Sequence, residues 1–251
     1  LGRALDASPT DKPLRAVALG KEAPLSLTCA SPGIVTMTDF SRFRLPKAMG
    51  KAAATWEAYR ILPGARGDVG EAGTQAIRLA DRIAKLKPAE GPFPGRLGAE
   101  MKKALALLKA DLELEVLQIS QGGYDTHAGQ AASHNRLLSE LGNNLRVWQE
   151  ELEKAGLGEK VVTVVFSEFG RRVPENLSAG TDHGSAGPVF VIGQGVAPML
   201  HGAQPSLEDL DGDNLRFTTD FRRIYAALLP ACFGLDPKPI VGDHAPLELF
   251  A

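Results

Sequence analysis

The sequence predicts an α/β fold, a mostly parallel sheet flanked by helices. Three observations predict it. The second half alternates strand-like and helix-like segments, the order that builds parallel sheets with helical crossovers. Val161–Phe166 is a continuous β-branched run, the pattern of a strand buried on both faces. The 251 residues, with 44% hydrophobic and 23% charged side chains, are enough to bury a substantial core.

The elements follow in chain order. Leu1, Ala4 and Leu5 have the spacing of an amphipathic helix already under way. The chain opens without methionine and without a signal-peptide pattern, which predicts a fragment whose upstream part has been removed. Arg15–Leu19 and Leu25–Thr28 read as short strands separated by a polar turn at Gly20, Lys21 and Glu22. Pro32 and Gly33 form a loop, and an irregular stretch begins at Thr38. Helical spacing covers Lys47–Arg60, Glu71–Leu86 and Leu97–Lys109, with a Gly/Pro loop from Pro88 to Pro94. Leu112–Ile119 alternates as a strand and breaks at Gly122 and Gly123. Ala128–Lys154 is a long helix with Leu137, Leu138, Leu141, Leu145, Trp148 and Leu152 along one face, stopped by Gly156 and Gly158. After Val161–Phe166, Glu168–Ser185 is a polar loop and Pro188–Ile192 a third short strand. Thr219–Phe233 is helical, with Thr218 or Thr219 as its cap. Neither a linker nor a repeat interrupts this order, so 1–251 reads as a single domain.

Composition excludes several classes. Lys+Arg number 28 and Asp+Glu 30, a net charge of −2, which leaves no basic excess for nucleic acid. No apolar stretch is long enough to span a membrane. Two cysteines, Cys29 and Cys232, exclude a disulfide framework and a cysteine-built zinc site, and read as small core residues.

Three clusters carry candidate chemistry. Gly122-Gly123-Tyr124-Asp125-Thr126-His127 lies between a strand and a helix, where open α/β sheets place binding groups. Its plain alternative is a helix cap followed by an exposed histidine. Glu168 follows the central strand, where a carboxylate is costly unless paired with Arg171 or Arg172, or bound to a cation. Asp182 and His183 stand side by side between Gly180 and Gly184. Those glycines permit close backbone approach, although a solvated turn has the same composition. Together the clusters supply Asp125, His127, Glu168, Asp182 and His183 as oxygen and nitrogen donors without thiolate. Such a set suits a divalent ion, with Zn, Mn, Fe, Mg and Ca all open. His134 reads as a helix-surface residue outside this set.

The same residues carry a resemblance. Gly123-Tyr124-Asp125-Thr126-His127 with Gln130, Ser167-Glu168-Phe169-Gly170-Arg171, Ala179-Gly180-Thr181-Asp182-His183-Gly184, and Thr218-Thr219-Asp220-Phe221-Arg222 resemble, in order and spacing, the bacterial domain-of-unknown-function family numbered fifteen-oh-one. The likeness is specific over 112–235 and looser before it. That family is grouped with the alkaline phosphatase and sulfatase superfamily, often exported by the twin-arginine route. The resemblance therefore implies an alkaline-phosphatase-like fold lacking its N-terminal portion, and a periplasmic or extracellular location. It implies a metal-dependent hydrolase of small phosphate or sulfate esters, with Asp125, His127, Glu168, Asp182 and His183 as ligands and Arg171 as a clamp on the anionic ester. Phe169 stands where the superfamily has a histidine ligand, and Phe cannot coordinate. No nucleophile motif matches, so the nucleophile is expected upstream of residue 1, and the chain is expected to self-associate or to pair with the missing segment. The competing expectation is a non-catalytic exported binding or surface protein that keeps the fold and a structural ion.

Overall fold

Four consecutive apolar residues make the first strand, β1 (Ala16–Leu19), and all four are buried. A strand buried on both faces needs a neighbour on each side, and β1 has them. In the computed structural model it lies between β2 (Ile34–Met37) and β3 (Val116–Ile119), parallel to both, in the order β2-β1-β3. The register pairs Ala16 with Ile34 and Val116, and Leu19 with Met37 and Ile119. The structure describes residues 1–250 apart from 9, 11, 31, 32, 44–53, 55–57, 59, 60 and 62–64. The helix expected over Lys47–Arg60 lies outside the described residues, save for isolated positions.

The chain divides into two compact units. One comprises Leu1–Glu90 with Ala99–Ser120, and the other Gly91–Gly98 with Gln121–Ala251. The first holds the three-stranded parallel sheet, α1 (Gly2–Ala7), α2 (Ala65–Ala84) and most of α3 (Gly95–Lys109). Its fully buried side chains include Leu5, Leu14, Val17, Leu27, Ile83, Leu105 and Leu107. Arg15 enters β1 and is only 2% exposed. Its guanidinium donates twice to Glu115, at 2.9 and 2.6 Å, and once to the Leu5 carbonyl at 2.6 Å. That arrangement satisfies the buried charge, which is otherwise expensive to hold away from water.

Two corrections to the sequence reading fall in this unit. Leu25–Thr28 is no strand: Leu25–Leu27 is a single 3₁₀ turn after the extended Pro24. Leu27 is buried while Leu25 is 92% exposed, so only one of the two leucines has a core to face. The second strand of the sheet is instead Ile34–Met37, whose β-branched residues follow Gly33. Cys29 is half-buried here, and Cys232, in the second unit, is exposed, so neither is a core cysteine.

In the second unit, α4 (Gln130–Lys154) buries Leu137, Asn144, Val147, Trp148 and Leu152. Leu138, expected on that face, is 52% exposed. Asn144 sits mid-helix with no exposure, and its amide donates to the carbonyls of Pro94 and Glu140 at 2.9 and 2.8 Å. The strand expected over Val161–Phe166 is the shorter β4 (Thr163–Val165), partly buried rather than covered on both faces. It pairs antiparallel with β7 (Phe190–Ile192), and among the described residues it has no second strand neighbour. Between them the expected loop contains two short antiparallel strands, β5 (Gly170–Arg171) and β6 (His183–Gly184). A further pair, β8 (Leu210–Asp211) and β9 (Asn214–Leu215), precedes α5 (Arg222–Phe233) and α6 (Lys238–Val241). Ala227, Leu228 and Leu249 form a core here, with Val162, Val164, Val191 and Ile224 packed on it.

The start of α5 is held by Asp220, not by a threonine. Its carboxylate accepts the Arg222 backbone N–H at 2.9 Å and the Arg222 guanidinium as well. Thr218 instead donates to the Ala203 carbonyl at 2.6 Å. The chain is thus mixed α/β with one three-stranded parallel sheet and several two-stranded antiparallel ones. No helix among the described residues is long and apolar enough to cross a membrane.

Candidate metal centre

Two loops build the centre. The first runs from Gln121 to Gly129, ahead of α4. It contains two glycines with positive φ, Gly123 (+100°) and Gly129 (+53°), conformations that L side chains rarely adopt. The second is the β5–β6 pair and the turn between its strands. Register sets Arg171 opposite His183 and Gly170 opposite Gly184. The loops are tied together through backbone. The N–H groups of Gly129 and Gln130, at the start of α4, donate to the carbonyls of Ser178 and Ala179 at 3.0 and 2.8 Å. These are helix-terminal donors that lack partners within the helix. Asn176 donates to the His127 carbonyl at 3.0 Å and accepts from the N–H of Ser178 and Gly180. Gly180 is buried, and a Cβ there would collide with the His127 backbone.

This scaffold brings Asp125, His127 and His183 together, each with a ligand atom within 4.8 Å of the others. His183 Nε2 donates to Asp125 Oδ1 at 2.7 Å. His127 Nε2 lies 2.9 Å from the same oxygen. Behind it, His127 Nδ1 lies 3.3 Å from Asp182 Oδ1. A carboxylate behind one ring nitrogen fixes the proton there and presents the other nitrogen's lone pair forward. Asp182 therefore orients His127 from the rear. With its proton on Nδ1 the His127 ring turns the Nε2 lone pair toward the Asp125 oxygen, the form that could share a cation with it; with its proton on Nε2 the ring donates to Asp125.

The neighbouring groups hold both carboxylates in their charged form. Asp125 is held below the usual carboxylate range by the His183 hydrogen bond, with the charges of His127, His183 and Arg171 adding to it. Asp182 is lowered in the same direction by its hydrogen bonds with His127 and Asn176. About half of each ring is open to solvent, 50% of His127 and 47% of His183, and 63% of Asp125, so the donor atoms are accessible.

The other expected site residues are placed differently. Glu168 is exposed and lies outside the group of converging donors. Arg171 is only 16% exposed and donates to the carbonyls of Thr181 and Tyr124, both at 2.5 Å, with Asp125 at 3.6 Å. Its guanidinium thus ties the two loops together. His134, read from sequence as a surface residue, has its Nε2 3.3 Å from the Tyr124 carbonyl and supports the first loop from α4. Sequence spacing concealed this, because α4 begins at Gln130 and His127 lies before it. Phe169 has no donor atom and cannot coordinate. Its ring stacks on His183 with centroids 4.0 Å apart and planes 9° apart.

The fold and this site define a mixed α/β protein with a candidate centre of two histidines and one aspartate. The sequence profile of the family described as "Protein of unknown function (DUF1501)" matches residues 3–244, and the chain belongs to that family. No curated protein and no solved structure matches it.

Proposed function

We propose that this chain carries a one-ion centre of a metal-dependent hydrolase acting on phosphate or sulfate esters, on an alkaline-phosphatase-like fold. One observation carries the reading: His127 and His183 bring their Nε2 atoms to one Asp125 oxygen, with Asp182 set behind His127. The donor set fits a transition ion. Two imidazoles suit zinc, manganese or iron better than magnesium or calcium, which prefer all-oxygen surroundings. Tetrahedral ligands about 2.0–2.1 Å from zinc lie roughly 3.3 Å apart, so the contacts of 2.7 and 2.9 Å need to widen only slightly. Bound there, the ion would polarise an ester oxygen and lower the pKa of a bound water.

The chain's own residues then divide the work. Asp125, His127 and His183 hold the ion. Asp182 keeps the His127 lone pair facing forward. Arg171 fixes the loops and sets a positive charge beside the centre, which favours an anionic ester. Glu168 has no part in this geometry. The reading includes a periplasmic or extracellular location, which the family resemblance supports. A second reading, a non-catalytic binding or surface protein with a structural ion, is favoured by Arg171, whose terminal nitrogens already hold backbone carbonyls.

Metal analysis of the full-length protein, with turnover of a panel of aryl phosphate and sulfate esters, tests both. One equivalent of transition metal with turnover abolished by Asp125→Asn is the expected result. Metal without turnover selects the second reading, and absence of both overturns the metal centre.

A further inference from the structure

We infer that Phe169 is a positioning residue for this centre, fixing the plane of the His183 ring so that Nε2 stays on Asp125. The inference rests on the metal reading above. His183 stands on a two-residue strand and is half-exposed, so its backbone alone does not define its rotamer. Its hydrogen bond to Asp125 fixes one edge atom and leaves the ring free to swing about that contact. The Phe169 face supplies the missing restraint, lying almost parallel to the imidazole at 4.0 Å. An edge contact and a face contact together define a planar ring.

Phe169 is itself well held. The Arg171 guanidinium carbon sits 4.9 Å from its ring centroid, a cation–π distance. The same guanidinium is anchored to Thr181 and Tyr124. The next residue, Gly170, packs so closely on the Ala186 backbone that a Cβ there would collide with it. Orientation therefore passes from the fixed β5 backbone through Phe169 to His183 Nε2. Phe169 has no donor atom and contributes only a surface. Loss of an orienting partner costs a metal site about 10- to 100-fold in affinity. A stacked aromatic of this kind belongs near the lower end of that range.

The test titrates the full chain with Zn²⁺, and with Co²⁺ for its visible spectrum, in wild type, Phe169→Leu and Phe169→Tyr. The expected result is affinity about tenfold weaker in Phe169→Leu, with an altered Co²⁺ spectrum, and restoration to within about twofold in Phe169→Tyr, which keeps the stack. Equal affinity and spectrum in wild type and Phe169→Leu would overturn the positioning role while leaving the metal centre standing. If wild type binds neither ion, the metal reading falls, and ring ¹⁵N and ¹H NMR of the metal-free protein decides the positioning alone. A His183 Nε2 resonance shifted by hydrogen bonding in wild type and averaged in Phe169→Leu supports it. Identical His183 ring resonances in both overturn it.

Discussion

Asp125 Oδ1 and His183 Nε2 meet at 2.7 Å although 58 residues separate them in the chain. The contact requires the loop before α4 and the β5–β6 pair to be locked together, and the shared carbonyl of Tyr124 shows how. It accepts from Arg171 on one side and lies 3.3 Å from His134 Nε2 on the other.

The first prediction concerns metal affinity. On the proposed metal reading, Asp125→Asn removes the charge of one ligand and His183→Ala removes another ligand outright, and each should lower Zn²⁺ affinity by more than about 100-fold, beyond the 10- to 100-fold expected for Asp182→Asn behind His127. Glu168→Gln, outside the converging donors, should change it by less than about threefold, and His134→Ala by more than Glu168→Gln. Competition titration against a chromophoric chelator measures each. Removing the ion with EDTA should also lower the melting temperature, since binding to the native state alone contributes about 2.7 kcal/mol at a hundredfold excess over Kd.

Much of this centre was legible from sequence, for definable reasons. Asp125 and His127 follow the sheet strand Val116–Ile119 and precede a helix, and chain order alone marks such a position. Gly180 and Gly184 announced close backbone approach, and the first of them does press on His127. Glu168 is exposed and is not among the three converging donors; adjacency to a strand says nothing about where a loop side chain turns. The sheet was read less well. Leu25–Thr28 has strand composition, but Leu25 has no core to face, and burial decides between a strand and a turn. Ile34–Met37 is too short for its four residues to show a period, and only its pairing with β1 marks it as a strand.

The second prediction is a pH dependence at the start of α5. The Asp220 carboxyl is held well below its ordinary value of 3.8, first by the Arg222 side chain and then by the Arg222 backbone N–H. A carboxyl lowered in the folded state stabilises that state fully above the unfolded value, and the contribution is lost as pH falls through the folded one. The stability difference between wild type and Asp220→Asn should be constant from about pH 8 to 5 and shrink below about pH 4. Urea denaturation across that range checks it. A difference that grows in acid would show that the carboxylate is not the stabilising form.

The third prediction separates local geometry from global stability. Gly180→Ala must push the Asp182–His183 turn away from the His127 backbone. Zn²⁺ affinity should fall by about 10-fold or more, while far-UV circular dichroism stays near wild type. Gly142→Ala is the control, because a Cβ there meets nothing within 4 Å. Its effect should be a small gain in helix stability, up to about 1 kcal/mol.

The fourth prediction concerns the parallel sheet. Glu115→Ala leaves the Arg15 guanidinium buried with only the Leu5 carbonyl, a loss of about 3–5 kcal/mol by the usual cost of an uncompensated buried charge. Replacing both partners, Arg15→Met with Glu115→Leu, should cost much less, because no charge is then left buried. Chemical denaturation of the three proteins decides. Equal losses in the single and double variants would mean that packing, and not charge, sets the cost.

The last prediction tests what joins α4 to the β4–β7 pair. Trp148 is 4% exposed, and its indole Nε1 donates to Thr163 Oγ1 at 3.0 Å, so one side chain both fills the interior and satisfies a polar atom on β4. Trp148→Ala should cost about 3–5 kcal/mol through the cavity it leaves. Thr163→Val keeps the shape but strands the indole N–H, at about 1–3 kcal/mol. Trp148→Phe removes the donor and some volume. In the double variant Trp148→Phe with Thr163→Val neither orphaned donor nor unmatched hydroxyl remains, so its loss should be smaller than the sum of the single losses by about 1 kcal/mol. Additive losses would show that the hydrogen bond contributes nothing, leaving apolar burial alone to hold α4 on the strand pair.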